Sequence, residues 1–550
     1  MKSTIKPLLI LLSLGAAKQT LADFDPNRLA KAQQELDKNI RQESKLDKKD
    51  VYSEVEAFKI NNIEFPVEEE CFDFEELILN DDFLNDRNIK KIKADVAGRC
   101  LGSQGISKLA STLQDYYINS GYVTTRIEIP EQDLLTKKIT LVVLPGRIEE
   151  IIIEDNDVRD WILPFKVGQI LNVRDLEQGL ETLQKVPGLN VKINIAPGQN
   201  NGFSNVVINT GRTKNWNVRT WANNWGDEGT GKNLIGAAAY AYNLTKMNDV
   251  LYVSGTTNAE REDGGYDSVS AYYSLPYGYW DLEAFYSKSK TKQPINLGTL
   301  NFNYFGDTEY SSLKASRTIY RDVDKKITLS SEITRRKVTN SLEDIELVLQ
   351  KRDMTNLRFG VNLKKNLTGA FLDTTLSYQR FVPWLGAVET PDMQSGDVSK
   401  QSHVFNFDAD YTKAMKVAKY DGYYNLRVGA QYAPSPLTLQ DRLTVGDRWS
   451  VRGFENSAGL DGDKGFYAQN TINVMTGVRN LEWFFGTDYG VIFKDDELHK
   501  RDKHLLGATT GFRGSFKSLG YGFSVSKPLR YPQAMTPDEF SFNFNFYYQL

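Results

Sequence analysis

The sequence lacks any apolar run approaching the roughly 18–20 residues that a membrane-spanning helix requires, and its mean hydropathy is −0.45. A helical span is therefore excluded. A membrane barrel is not, because its strands alternate apolar-out with polar-in and keep hydropathy low. Histidine is limited to His403, His499 and His504, and cysteine to Cys71 and Cys100. None of these residues has metal-ligand spacing, and no Ser/His/Asp arrangement stands out, so neither a metal centre nor a hydrolase is indicated. His499 and His504 fall in the polar stretch 494–504 and read as solvated loop residues. Charge of one sign is missing too. The 67 basic and 71 acidic residues give a net charge of −4, and a nucleic-acid binder needs a basic excess. No cofactor, metal or nucleic acid is expected.

What is present begins with an export signal. Lys2 and Lys6 precede the apolar stretch 7–17, and Thr20-Leu21-Ala22 suits cleavage, so residues 1–22 read as a signal peptide. A short buried helix is the bland alternative, disfavoured by the terminal position and charged flank. Export implies an oxidising compartment, where Cys71 and Cys100 are expected to pair and to stabilise their domain by about 3–4 kcal/mol. Two free thiols stay open at this stage, because sequence does not show that the Cα atoms are close.

Residues 23–44 read as a helix capped by Asp25, with Pro26 in its first turn and a narrow stripe of Leu29, Leu36 and Ile40. Its other faces are polar, which suits a water-filled channel or a surface arm. About 20 helical residues span about 30 Å, the thickness of a bilayer core. The charged stretch 45–56 reads as a linker. Residues 57–145 form a mixed module: strands at 57–65, 124–129 and 138–144, and a helix over 105–120 with Ile106, Leu109 and Leu113 inward. Residues 146–210 repeat the plan: strands at 147–153, 191–195 and 204–209, and a helix capped by Asn172, with Asp175 placed as in a capping box.

From 211 to 550 the period becomes two. Leu357, Phe359, Val361 and Leu363 alternate, as do Tyr424, Leu426, Val428, Ala430 and Tyr432. Phe540, Phe542, Phe544, Phe546, Tyr548 and Leu550 share one face of the final run. With a strand and its turn using roughly 20 residues, this length suits about 16 antiparallel strands. The fold class is thus α+β periplasmic modules followed by an all-β transmembrane barrel. The stretch Gly226 to Asn233 is a near miss to a phosphate-binding loop, but Asn233 stands where Ser or Thr would hold magnesium. A strand-connecting turn is the expected reading.

Several motifs resemble the outer-membrane transporters of two-partner secretion, relatives of the barrel-assembly machinery. In the first module these are the cysteine pair, Cys100-Leu101-Gly102, and Gly121 to Arg126 running into Pro130 to Leu134. In the second they are residues 171–183, Pro197-Gly198 and residues 202–206. The two modules are similar to that family's polypeptide-transport-associated (POTRA) domains, and the 23–44 helix to its plug helix. Val451-Arg452-Gly453-Phe454 resembles the tip of an extracellular loop that folds back into the pore, and residues 485–490 resemble the family's acidic strand motif. The resemblance implies a loop-to-barrel lock in which Arg452 meets Asp488, Gly453 permits a tight turn and Phe454 packs on the wall.

It also implies function. A large secreted partner with an N-terminal secretion domain would be recognised by the modules and exported unfolded without ATP, with helix and loop gating the pore. The cargo could be an adhesin, a haemolysin or a contact-dependent growth-inhibition toxin. Outer-membrane lipids, periplasmic chaperones and the barrel-assembly machinery are the other expected partners, and the chain is expected to be a monomer and not an enzyme. A barrel-assembly factor is the competing reading, disfavoured by the number of modules and the plug helix. The chain ends in Leu550 where such barrels commonly end in Phe, which keeps the apolar register.

Overall fold

The computed structural model describes residues 63–154, 158–212, 214–260, 264–297, 300–455, 459–494 and 502–550. The expected signal peptide, plug helix and linker lie outside them, as does His499.

The first module contains β1 (Phe72–Phe74), β2 (Glu76–Asn80), α1 (Arg87–Val96), β3 (Arg99–Leu101), α2 (Ser103–Asn119), β4 (Arg126–Glu128) and β5 (Lys138–Leu144). β5 runs parallel to β2 and antiparallel to β4, and both helices bury apolar faces against this sheet. The 57–65 strand falls mostly on undescribed residues, and its described part, 63–65, is not a strand. α1 is additional to the expected elements. Asp86 caps it by accepting the N–H groups of Asn88 and Ile89. Cys71 and Cys100 form a disulfide between Cα atoms 5.3 Å apart. Beside it, the Glu68 carboxylate caps α2 from outside the helix, accepting N–H bonds from Gly102, Gln104 and Gly105 at 2.8–2.9 Å.

The second module contains β6 (Arg147–Ile153), α3 (Val173–Gln184), β7 (Leu189–Pro197) and β8 (Phe203–Arg212), with β8 central. Asn172 caps α3 through the N–H of Arg174. Asp175 does not close a capping box. Its carboxylate instead accepts the Tyr279 hydroxyl of the barrel.

Arg212 ends β8, and the barrel begins at Trp216. Its strands are β9 (Trp216–Asn223), β10 (Leu234–Tyr242), β11 (Val250–Asn258), β12 (Gly265–Tyr277), β13 (Trp280–Leu297), β14 (Leu300–Arg321), β15 (Lys325–Leu342), the short β16 (Ile345–Glu346), β17 (Arg352–Leu367), β18 (Ala370–Val382), β19 (Val404–Val417), β20 (Tyr420–Tyr432), β23 (Lys464–Met475), β24 (Leu481–Ile492), β25 (Lys503–Phe516), β26 (Leu519–Arg530) and β27 (Ser541–Gln549). The connection from β20 to β23 carries its own hairpin, β21 (Leu443–Val445) and β22 (Leu460–Gly462). Because β16 is a spur on β15, sixteen antiparallel strands close the barrel. Residues 224–233 connect β9 to β10, so the near miss to a phosphate-binding loop is a turn. His504 lies on β25, where its ring bonds the Tyr489 hydroxyl at 2.7 Å, and is not a solvated loop residue.

Alternation explains the wall. Val269, Leu313, Leu376, Phe485, Phe512 and Phe542 are exposed on the outer face, where lipid replaces water. Ser254, Ser270, Ser287 and Asp488 point inward and are buried. β14 has 22 residues, well beyond the roughly 9–11 that cross a bilayer, so the β13–β15 hairpins project from the barrel.

Candidate functional site

The two ends of the barrel carry different polar joints. At the outer end, the 433–463 connection folds back into the lumen. β21 and β22 pair, with Val445 opposite Leu460. Gly446 (φ +104°) then turns the chain, and Asp447 and Ser450 hold the turn in shape. Ser450 Oγ donates to Asp447 Oδ1 at 2.7 Å and accepts the Gly446 N–H at 3.0 Å, while the Trp449 N–H donates to Asp447 Oδ1 at 2.8 Å. Val445, Val451, Phe454 and Leu460 bury themselves against Ile492 and Leu505 of the wall.

This delivers Arg452 to Asp488 on β24. Arg452 Nε donates to Asp488 Oδ2 at 2.6 Å and Nη2 to Oδ1 at 2.7 Å. The Arg452 backbone N–H adds a third bond to Oδ2 at 3.1 Å, and Nη2 also donates to Thr471 Oγ1 of β23 at 2.9 Å. The Asp488 side chain is 0% exposed and that of Arg452 17%. A buried fork-to-carboxylate pair with further hydrogen bonds around it is the geometry in which such a pair holds firmly. The wall is cut back to admit it. A Cβ on Gly486 would lie 2.4 Å from Arg452 Nη2, and one on Gly507 would lie 1.9 Å from the Arg452 carbonyl oxygen. Gly453 (φ +104°) presses against the Lys527–Pro528 backbone, and Phe454 meets Tyr531 edge-on, ring centres 6.2 Å apart. All four residues singled out from sequence thus sit together. Thr471 was not anticipated: it becomes a neighbour only once the β23–β24 register sets it opposite Gly486, two residues along β24 from Asp488.

At the other end, α3 of the second module docks on three barrel turns. Asn248 Nδ2 donates to the carbonyls of Thr182 and Leu183 at 2.6 and 3.1 Å. Arg321, whose side chain is 2% exposed, reaches Gln178 and Glu181 through Nη1 at 3.0 and 2.8 Å, and Glu177 through Nε at 3.5 Å. Lys326 Nζ donates to Glu181 at 2.5 Å and Lys185 Nζ to Asp281 at 2.5 Å. The Gly278 N–H also donates to the Ile162 carbonyl at 2.7 Å. None of these residues was singled out beforehand as a contact with the barrel. The available signal was two carboxylates one turn apart, Glu177 and Glu181, set against the basic residues Arg321, Lys325 and Lys326.

Between the joints the lumen is polar. One cavity of about 460 Å³ is bounded by Asp408, Asp410, Arg427 and Arg358 of the wall and by Trp449 of the folded-in loop.

The profile of the haemolysin secretion/activation protein family ShlB/FhaC/HecB matches residues 202–514, a POTRA domain profile of ShlB type matches 74–146, and a further POTRA profile matches 147–197. The chain belongs to this family. Among related sequences, the outer membrane transporter CdiB-2 of Burkholderia pseudomallei is 29% identical over 454 residues, covering 80% of this chain and 78% of the relative. The hemolysin transporter protein ShlB of Serratia marcescens is 27% identical over 447 residues, covering 80% and 77%. In architecture the chain is similar to CdiB from Escherichia coli, with a TM-score of 0.83 at 24% identity over 96% of this chain and 99% of that one. The protein is therefore a two-partner secretion transporter of the outer membrane, with its POTRA domains in the periplasm and a large exoprotein as its partner. That orientation makes the α3 end of the barrel periplasmic and the β20–β23 connection an extracellular loop.

Proposed function

We propose that the inward-folded extracellular loop gates the pore, and that the Arg452–Asp488 pair, with Gly453 and Phe454, is the lock that holds it shut at rest. The observation that carries this reading is the set of four hydrogen bonds from Arg452, three of them to one fully buried carboxylate. A loop held only by surface contacts would need no such pair. Residues 23–44, which read from sequence as a plug helix, are proposed as a second obstruction that leaves the pore during export.

The exoprotein is captured unfolded in the periplasm by strand addition to a module edge. β7, nine residues long, pairs among the described residues only with β8 and presents Lys192, Asn194 and Ile195 outward, which makes it the edge best suited to the task. Export runs without ATP, drawn by folding of the cargo outside. The cargo is a contact-dependent growth-inhibition toxin, an adhesin or a haemolysin. The transporter works as a monomer in outer-membrane lipid, inserted with periplasmic chaperones and the barrel-assembly machinery.

The test is Arg452→Lys. Lysine keeps the charge but offers no planar fork, so export of the partner exoprotein falls while the heat-modifiable, folded barrel remains in the outer membrane. Wild-type export by this variant would reject the lock. Deletion of residues 23–50 tests the plug separately: ion conductance in planar bilayers rises if the helix obstructs the channel.

A further inference from the structure

The loop touches a second part of the wall that the Arg452–Asp488 pair does not explain. A barrel must be closed by pairing its last strand with its first, and here that seam is short. β27 registers five residues against β9, whereas β26 registers eight against β27, β9 eight against β10, and β13 eighteen against β14. At the outer end of the seam, past the registered pairs, the backbone bond from the Asn224 N–H to the Phe544 carbonyl at 3.3 Å is reinforced by a side chain. Asn224, just past β9, donates to the Phe542 carbonyl at 2.6 Å and accepts the Phe544 N–H at 2.8 Å.

Loop residues sit on this spot. Arg448 places its guanidinium 5.0 Å from the centre of the Trp225 ring, and its Nη1 donates to Asn543 Oδ1 at 3.4 Å. Trp449 meets Trp225 edge-on, centres 5.8 Å apart. Asn543 Nδ2 also donates to Glu455 Oε1 of the loop at 3.4 Å. Trp225 comes directly after Asn224 and is oriented by its own N–H bond to Asn223, the last residue of β9. Asn543 lies between Phe542 and Phe544, the two residues that Asn224 binds. One guanidinium thus spans from the β9 side of the seam to the β27 side, on the lumenal face.

We propose that Arg448 and Trp449 form a second anchor of the folded-in loop, and that this anchor staples the closing seam between β9 and β27. Each contact alone is modest. Their placement gives them leverage, because five registered pairs make this the shortest pairing among the sixteen strands that close the barrel. Withdrawal of the loop would then do two things together: open the channel and release the seam. Arg448 and Trp449 act as positioning residues for the seam strands. They are distinct from the Arg452 lock, which grips β23 and β24.

The test is hydrogen–deuterium exchange on the full-length transporter in detergent, without cargo. Arg448→Ala removes the staple from the loop side and Asn543→Ala from the seam side. In both, amides of β9 and β27 are expected to exchange about tenfold faster or more, while β13 and β14 keep wild-type rates and β24 stays protected beside an intact Arg452–Asp488 pair. Arg448→Lys, which keeps the charge without the planar group, regains part of the protection. The proposal is overturned if either alanine variant leaves the seam at wild-type exchange, or if β13 and β14 accelerate equally. The inference takes its functional consequence from the gating reading. Because exchange is read without export, failure of the staple is distinguishable from failure of the lock.

Discussion

The extracellular loop and the second POTRA domain both reach the barrel through charged side chains, yet they do so in opposite ways. The loop commits its main grip to one guanidinium and one carboxylate, with no exposure at Asp488 and glycines in the wall around it. The module spreads its grip along α3: Arg321 and Lys326 meet at Glu181, while Lys185, Asn248 and Tyr279 each make a contact of their own across the joint. A single buried pair is all-or-none: losing one partner strands the other charge. A distributed joint loses members gradually and can slide or tilt without coming apart. The first suits a lock, and the second suits a hinge that must stay attached while cargo passes.

The sharpest way to break this comparison is Asp488→Ala. It leaves the Arg452 guanidinium in a site with Thr471 as its remaining side-chain acceptor. Removing one partner of a buried pair costs about 3–5 kcal/mol. The expected outcome is a loop released from the wall, read as cleavage by added trypsin after Arg448 or Arg452 in intact cells and as raised channel conductance. If the loop stays resistant to trypsin, the apolar cluster of Val451 and Phe454 holds it, and the contrast between the joints collapses.

Glu181→Ala should do less at the module end. Glu181 accepts from both Arg321 and Lys326, but Arg321 keeps Glu177 and Gln178, and Asn248 still caps the end of α3. Hydrogen bonds to charged groups contribute about 1.5–3 kcal/mol each, and retained partners bring the loss toward the lower figure. The expected result is α3 amide exchange about tenfold faster with the module still docked, as reported by spin-label distances between α3 and the 243–249 turn. Complete undocking would show that this joint is as brittle as the lock.

Which parts of these joints could be read from sequence depends on how local their signals are. Alternation is local, so the barrel was legible, and Lys138–Leu144 and Arg147–Ile153 form the strands their patterns predict. α1 was missed although Ile89, Ile92 and Val96 stand at helical spacing behind the Asp86 cap, because four of the five positions between them are charged, Lys90, Lys91, Lys93 and Asp95. The loop motif was legible as a motif, since Arg452, Gly453 and Phe454 are contiguous. Thr471, Trp225 and Asn543 were not. Each is an ordinary residue whose proximity to the loop depends on strand register and on closure of a barrel whose first and last strands are far apart in the chain. Asp175 shows the same limit from the other side. Its local pattern indicated a capping box, yet the tertiary partner Tyr279, 104 residues away, takes the carboxylate.

Asp175 also supplies the smallest and most specific test of the module joint. Burial raises its pKa above the ordinary value, and the Tyr279 hydroxyl only partly offsets this. A carboxyl group whose pKa is raised on docking contributes stability that is fully present below its unfolded value, about 3.9, and lost as pH rises through the docked value. The wild-type joint should therefore loosen as pH is raised from about 4 through the docked value of Asp175. Asp175→Asn keeps an oxygen to accept the Tyr279 bond and removes the titrating charge. Exchange of α3, corrected for its intrinsic pH dependence, should be flatter with pH in this variant, and slower than wild type near neutrality. Parallel pH profiles would mean that the Tyr279 hydroxyl compensates the buried charge fully, and that this half of the joint is as well satisfied as the pair at the outer end.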